Sequence, residues 1–307
     1  MMKIGVLRNP LSTKNKKNAF WTLPEGFLVV ETSADKPIAD VALELTREDL
    51  DLLLIDGGDG TITATISALM AADTPLPPMG FIANGNTNLI ARKAGRPLTT
   101  DDFNTLREMS SETLHQHLKR TQFLRFSVGD QERRCGFIAG WGAYAKATRM
   151  AVEEMRSRRD LQVATAILAT LRRSLFGTEA RALREGIECR FQIDGTPTND
   201  TKRFIGVVTS LEGRLAAGVK PFWGSGTGPI RWLDITSPPR YHILLTPFVL
   251  FGLTLPMLAR LGYRSGRATR LSVTLSDEMI IDGEIISLSA ETKIDIDADQ
   301  QLDILHL

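Results

Sequence analysis

The chain is poor in the residues that carry most metal and redox chemistry. Among 307 residues it holds two cysteines, Cys135 and Cys189, and four histidines. A disulfide scaffold is thereby excluded, and no Cys/His cluster has zinc-ligand spacing. An excess of charge of one sign is also missing. Thirty-seven Lys and Arg against 36 Asp and Glu leave a net charge of +1, so there is neither the basic footprint of a nucleic-acid binder nor a strongly acidic surface. One local exception is Arg156-Ser157-Arg158-Arg159, followed by Arg172-Arg173 and Arg181. Internal repeats, low-complexity tracts and a Walker A loop GxxxxGK[ST] are all absent, and the last absence excludes a P-loop nucleotide site. The start, Met1 to Arg8, is too short an apolar run for a secretory signal. It reads as a first core strand, and a cytoplasmic location is expected. The longest uncharged run, Tyr241 to Ala259, has 19 residues, nearly enough to span a bilayer. Pro247 and Pro256 interrupt it, and His242, Thr246 and Thr254 dilute it. A core helix or an interfacial, lipid-facing segment is expected there instead of a span.

What is present is an ordinary globular composition, 43% apolar and 24% charged, at a length that suggests two domains. Strands expected at Lys3–Arg8, Phe27–Glu31, Asp51–Ile55 and Met79–Ala83 alternate with helices marked by Ile38, Val41, Ala42 and Leu45, by Ile62 to Met70, and by Asn86 to Ala94. Such alternation implies a parallel sheet. A helix from Asp101 to about Leu118, capped by Thr99 or Thr100 and turning Phe103, Leu106 and Leu114 inward, closes this part. A hairpin of Gln122–Val128 and Arg133–Ala139 and a helical stretch from Ala145 to about Leu175 follow. Strands then dominate, at Glu188–Ile193, Arg203–Ser210, Ile230–Ile235, Ala268–Leu275, Met279–Ile281 and Thr292–Ile296. The fold class is an α/β N-terminal domain with a parallel sheet plus a C-terminal antiparallel β-sandwich. The boundaries are residues 1–120 and 121–296, with the tail 297–307 packing back on the first domain.

Chemistry concentrates at strand ends. Asp56-Gly57-Gly58-Asp59-Gly60-Thr61 stands between a buried strand and a helix, where open α/β sheets bind ligands. Glycines there let backbone approach an anion, and the helix N-terminus supplies N–H donors. An acid among phosphate-binding glycines makes electrostatic sense facing a metal or a proton to be moved. Asn9-Pro10-Leu11-Ser12-Thr13-Lys14 follows the first strand, and Asn84-Gly85-Asn86-Thr87-Asn88 follows the fourth. Each alone is an ordinary polar turn, but three such turns at one sheet edge can converge on one crevice. Ile281-Asp282-Gly283-Glu284 reads on its own as an Asp-Gly hairpin turn. Gly224-Ser225-Gly226-Thr227-Gly228 precedes a strand and reads as a loop, because a dinucleotide motif needs strand–turn–helix context.

Four pieces, Asn9-Pro10-x-Ser12, Gly57-Gly58-Asp59-Gly60-Thr61, Gly85-x-x-Asn88-x-x-Ala91-Arg92 and Asp282-Gly283-Glu284, resemble in order and spacing the diacylglycerol kinase catalytic-domain family, in its bacterial soluble lipid kinase branch, related to sphingosine and ceramide kinases. The Gly-Gly-Asp-Gly-Thr piece is shared with NAD kinases, so the set of four is the specific signal. The resemblance implies ATP and Mg2+ as cofactors, with ATP in a cleft between a nucleotide-binding domain and a β-sandwich. It implies nucleotide contacts from Asn9, Ser12, Thr32, Gly57, Gly58, Asp59, Gly60, Thr61, Gly85, Asn86, Thr87 and Asn88. Asp59 would act through Mg-ATP. Asp282 matches a general base, with Glu284 beside it as a support or metal partner. The implied activity is transfer of the γ-phosphate to a hydroxyl of a diacylglycerol-like or sphingoid lipid at the membrane surface. Location is then cytoplasmic or peripheral at the inner membrane face; oligomeric state stays open, a homodimer included. Competing functions are a kinase of a soluble acceptor such as NAD and a non-catalytic lipid- or nucleotide-binding homologue.

The sequence also departs from the family pattern. The usual Gly-Thr-x-Asn-Asp turn is here Gly85-Asn86-Thr87-Asn88-Leu89. Thr13 replaces a glycine after Ser12. Lys220 to Gly228 lacks the carboxylate of an accessory metal loop, and Asp234 follows it. Gly140-Trp141-Gly142-Ala143-Tyr144 resembles a family turn near the cleft, although packing is the plainer role for its aromatic pair.

Overall fold

Runs of residues that are apolar throughout become strands covered on both faces. A computed structural model describes residues 2–16, 23, 25–129, 132–157, 184–215, 218–288 and 291–307. In it β1 (Ile4–Arg8), β3 (Leu52–Gly57) and β4 (Met79–Ala83) are buried along nearly their whole length, while β2 (Phe27–Glu31) is a half-exposed edge. Parallel sheets cover both faces with crossover helices, so their central strands lose polar alternation. The chain divides into two compact units, Met1–Phe123 with Gln300–Leu307, and Leu124–Asp299.

In the first unit the strand order is β2-β1-β3-β4-β18-β5, with β5 at Leu118–Gln122 and β18 at Gln301–Leu305. β1 to β4 pair in parallel; β18 is parallel to β4 and antiparallel to β5. The helices are α1 (Ile38–Thr46), α2 (Asp59–Ala71), α3 (Leu89–Lys93), α4 (Thr100–Glu108) and α5 (Ser111–Gln116). Ile4, Val6, Leu52, Leu54 and Ile82 share one core with Phe103, Leu106 and Leu114. On the other face Gly5 lets Leu45 of α1 and Leu50 close in, because a Cβ there would come within 3.3 Å and 2.5 Å of them.

The structure corrects several boundaries. The single helix expected from Asp101 to Leu118 is two. Met109 turns extended (ψ 144) and Ser110 starts α5 by accepting the Thr113 N–H at 3.2 Å. Serine competes for nearby backbone donors and so favours caps over helix interiors. α3 starts at Leu89, not Asn86, because Asn88 lies at φ +49. The unit boundary falls at Phe123 because Leu118–Gln122 is a strand of the first sheet.

The second unit contains β6 (Leu124–Val128), β7 (Glu132–Gly136), β8 (Ile138–Gly142), α6 (Ala143–Ser157), β9 (Ile187–Ile193), β10 (Thr196–Pro197), β11 (Lys202–Thr209), β12 (Ile230–Thr236), α7 (His242–Phe251), β13 (Tyr263–Ala268), β14 (Arg270–Leu275), β15 (Glu278–Ile281), β16 (Glu284–Ser287) and β17 (Thr292–Asp297). Its described pairings are antiparallel. One ladder runs β16-β15-β8-β11-β12-β13; the other runs β9-β14-β17-β6-β7, and the two join where β11 meets β9. Phe191 meets Trp141 at a tilt and Trp232 edge to face, in a core shared with Phe126, Val273 and Ile294. Two expected strands split. Arg133–Ala139 breaks at Phe137 into β7, on β6, and β8, on β11 and β15. Ala268–Leu275 breaks at Thr269, whose N–H bonds Asp194 at 2.9 Å. Gly224 to Gly228 precedes β12, as the loop reading requires. The helical stretch is described to Ser157; its remainder, with most of the local basic cluster, lies outside the described residues. Tyr241–Ala259 contains the ten-residue α7 followed by turns. Among the described residues no helix is long and apolar enough to cross a membrane.

Candidate functional site

The carboxyl ends of β1, β3 and β4 lie side by side, in the register Arg8↔Asp56 and Asp56↔Ile82. Their loops are therefore neighbours by construction. The floor between them has no side chains. A Cβ on Gly85 would lie 2.4 Å from the Gly58 Cα, and one on Gly58 would lie 3.0 Å from the Gly85 Cα. Gly57 is held free of a Cβ by Thr61, whose Oγ1 would be 2.6 Å from it. Asn9 donates to Thr61 Oγ1 at 2.9 Å, and its Oδ1 lies 3.5 Å from Thr32 Oγ1. Asn9, Thr32, Gly57, Gly58, Thr61 and Gly85 thus form one contiguous patch. Ser12 is buried in the same first loop, which is pinned to β4 by Lys14, through its N–H to Asn84 O and its Nζ to Ala83 O, both 2.9 Å. Asn88 is buried and holds its own turn, accepting from Gly85 N–H and donating to Gly85 O, both at 2.9 Å. Asn86 is exposed and Thr87 half-buried at the tip of that turn.

Asp59 has a different place from that of an acid facing open solvent. Its two oxygens accept the N–H groups of Leu89 at 2.8 Å and Ile90 at 3.0 Å. The acid of the glycine loop therefore caps α3 and ties that loop to the Gly85 turn. Burial raises its pKa above the usual aspartate value, against the lowering effect of those N–H groups and of Arg92. The consequence for α2 matters more. Its N-cap, Gly58, offers no side-chain acceptor; the Thr61 N–H turns back to Gly58 O at 3.0 Å, which leaves the Asp59 and Gly60 N–H groups at the helix start without an intrahelical partner. An uncapped helix start over a side-chain-free floor fits a phosphate group. Arg8 Nη2 is buried beside this edge without a hydrogen-bond partner among the described residues, a second unmet donor.

Asp56 is the residue that the sequence reading left unassigned. It is fully buried and accepts from Arg8 Nε at 2.9 Å, Asn15 Nδ2 at 2.9 Å and Asn84 Nδ2 at 2.6 Å. One carboxylate therefore joins all three loops. The available signal was its position, an acid closing an otherwise apolar strand.

In the second unit, Asp282 and Gly283 take φ +48 and +93 between the paired residues Ile281 and Glu284. Two positive φ values in a two-residue loop make the type I′ hairpin turn that Asp-Gly favours. The Asp282 carboxylate reaches β8, accepting the Phe137 N–H at 2.9 Å and the Ile138 N–H at 2.9 Å. Its orientation is fixed by backbone. Tyr144, at the start of α6, stands near it: burial first, and the Asp282 charge second, hold the phenol well above its usual pKa. The Tyr144 ring packs where a Gly140 side chain would be, at 2.4 Å. Tyr144 is thus the member of the Gly140–Tyr144 turn that belongs with Asp282, whereas Trp141 is core. Glu284 is exposed on β16.

Residues 3–122 match the diacylglycerol kinase catalytic domain. The chain carries a domain of the diacylglycerol kinase catalytic-domain family. The matched span is the first unit up to β5 and includes every loop of the phosphate-fitting patch. Among solved structures, the crystal structure of a diacylglycerol kinase from Bacillus anthracis str. Sterne is similar over 100% of this chain and 97% of that one, with TM-score 0.63 and 14% identity. At that identity the likeness is one of fold, and it extends through both units. No curated protein matches the sequence. Of the departures from the diacylglycerol kinase pattern, Thr13 lies in a well-formed loop and Asn88 keeps its turn without a following acid. Asp234 is fully buried between Arg203 (2.7 Å) and Arg264 (2.7 Å), so guanidinium groups already neutralise it. Among the described residues no group of three His, Cys, Asp or Glu side chains gathers for a metal.

Proposed function

We propose that the chain is an ATP-dependent lipid kinase acting on a hydroxyl of a diacylglycerol-like or sphingoid lipid at the inner membrane face. The observation that carries this reading is the Gly58–Gly85 floor under the uncapped start of α2, inside the matched catalytic domain. The Gly57–Thr61 loop would hold the phosphates of ATP through the N–H groups left free at the start of α2, with Asn9, Ser12 and Thr32 along one side. Magnesium supplied as Mg-ATP would neutralise charge on the phosphate oxygens and, as is usual for this ion, keep much of its water. Asp59 contributes by fixing the Gly57–Thr61 loop against the Gly85 turn. Asn86 and Thr87, at the tip of that turn, would reach the nucleotide from its edge.

Transfer forms a bond between the acceptor oxygen and the γ-phosphorus, breaks the bond to the β-phosphate oxygen, and releases ADP. The proton lost by the hydroxyl needs a positioned carboxylate. Asp282 is held by the Phe137 and Ile138 N–H groups in one orientation and takes that proton; exposed Glu284 supports the charge. The test is incubation of the purified protein with Mg2+, labelled ATP and a panel of lipids and NAD. We expect label in a lipid, and a loss of at least about a hundredfold in kcat for Asp282→Ala with an unchanged circular dichroism spectrum. Label in NAD alone, or ATP bound without turnover, overturns the proposal.

A further inference from the structure

Apart from His242 and Thr246, α7 is apolar, yet only half of it is covered. Leu245 and Val249 are buried, whereas Leu244 is 67% and Phe251 60% exposed. Helical spacing puts Leu244, Pro247 and Phe251 on one side, about three to four residues apart. Tyr241 and Ile243 before that side, and Leu253 and Met257 after it, are also more than half exposed. A helix of this composition is normally buried in a core or in lipid, and a contiguous apolar patch of this kind marks an interaction surface.

The charges around it name the partner. From Ile235 to Ser276 there are five arginines and no Asp or Glu. Arg264, Arg267 and Arg270 are engaged by Asp234, Glu212 and Asp299. Arg240, immediately before Tyr241, and Arg260, just after Met257, are exposed and make no ion pair among the described residues. Lys220 adds a third exposed cation at the other end of α7, where its N–H donates to Leu250 O at 2.7 Å and the helix end closes on it through Gly252 at φ +65. Greasy centre and cationic rim match an anionic bilayer: apolar side chains enter the acyl boundary while Arg and Lys reach headgroup phosphates. A second copy of the chain is a poor occupant. A two-fold interface would set this rim against itself, with no acid of the segment to offset it.

We infer that α7 and the following turn to Met257 form a docking surface for anionic phospholipid bilayers. The inference rests on the lipid-kinase reading for its purpose, since docking would present the acceptor lipid, but binding is read without turnover. The experiment is co-sedimentation of the full chain with vesicles of phosphatidylcholine and with vesicles of phosphatidylcholine and phosphatidylglycerol in equal parts. Wild type is expected to prefer the anionic vesicles. Arg240→Ala/Arg260→Ala is expected to lose about 25-fold on them, at roughly fivefold per cation. Leu244→Ser/Phe251→Ser is expected to lose at least about tenfold on both vesicle types. Because all four side chains are exposed, both variants should retain phosphorylation of a short-chain, monomeric diacylglycerol. Equal vesicle binding by wild type and the Leu244/Phe251 variant overturns the inference. So does lipid-independent dimerisation of wild type that this variant abolishes. Vesicle binding with no transfer to any lipid leaves the docking surface standing and sinks the kinase reading.

Discussion

Asp56 and Asp59 are three residues apart and do opposite kinds of work. Asp56 neutralises and gathers: Arg8, Asn15 and Asn84 all converge on it in the interior. Asp56→Ala strands a buried guanidinium and two amides, and a cost of about 3–5 kcal/mol is expected, seen as a lower urea midpoint and, on the proposed function, as a loss of ATP affinity. A stability within about 0.5 kcal/mol of wild type would show that the three loops do not depend on it. Asp59 is held where burial outweighs its two N–H donors, so its folded-state pKa stands above the unfolded value. A raised acid favours the fold below the ordinary aspartate pKa, and that contribution is lost as pH rises through the raised value. Carbon-13 titration of the Asp59 carboxyl should therefore give a midpoint above ~3.9, and Asp59→Asn should flatten the fall in stability over that window. A midpoint at or below the ordinary value contradicts this. The sequence showed that Asp59 lies among glycines; it did not show that both oxygens face α3, because that contact spans thirty residues and depends on β3 and β4 being neighbours.

Among elements, β18 has the most exposed dependency. It lies between β4 and β5 and buries Leu302, Ile304 and Leu305. By area alone those side chains contribute about 5–9 kcal/mol, an upper figure, comparable with the whole stability of a domain. Removal of residues 300–307 is expected to abolish hydrogen-exchange protection in β4 and β5 while β14 and β17 keep theirs. Retained protection in β4 would mean that the sheet closes without its inserted strand. The elements easiest to read from sequence were those with one unambiguous pattern. Leu52–Ile55 is apolar without a break, and Ile62, Ile66 and Leu69 keep helical spacing; all are buried. The α4–α5 break was hidden because Phe103, Leu106 and Leu114 keep one inward face across it, all sharing a single core. Periodicity reports the face and not the continuity of the backbone behind it.

For the whole molecule, alternating α/β and then strand-rich texture was enough for the two architectures, because burial on two faces and burial on one face leave different patterns. The second unit was legible in kind but not in strand ends. Phe137 and Thr269 interrupt apolar runs without a proline or glycine to announce it, and only the partners of β7, β8, β13 and β14 explain the breaks. α7 was equally hard to place: composition alone fits a core helix and an interfacial one, and only the exposure of Leu244 and Phe251 separates them.

The interruption of the first unit between Phe123 and Gln300 also sets a schedule for biosynthesis. A ribosome that has finished β5 must still translate the entire second unit before β18 exists. At ~5–20 residues per second this is roughly ten to thirty-five seconds. Throughout that interval β4 presents a bare row of backbone donors and acceptors in nascent chain, a template for mispairing. The second unit, contiguous in sequence, can complete itself first. The phosphate-fitting loops at the end of β3 and β4 therefore mature only after everything downstream has been made, and a cell lacking chaperone capacity would lose that patch before it lost the β-rich unit.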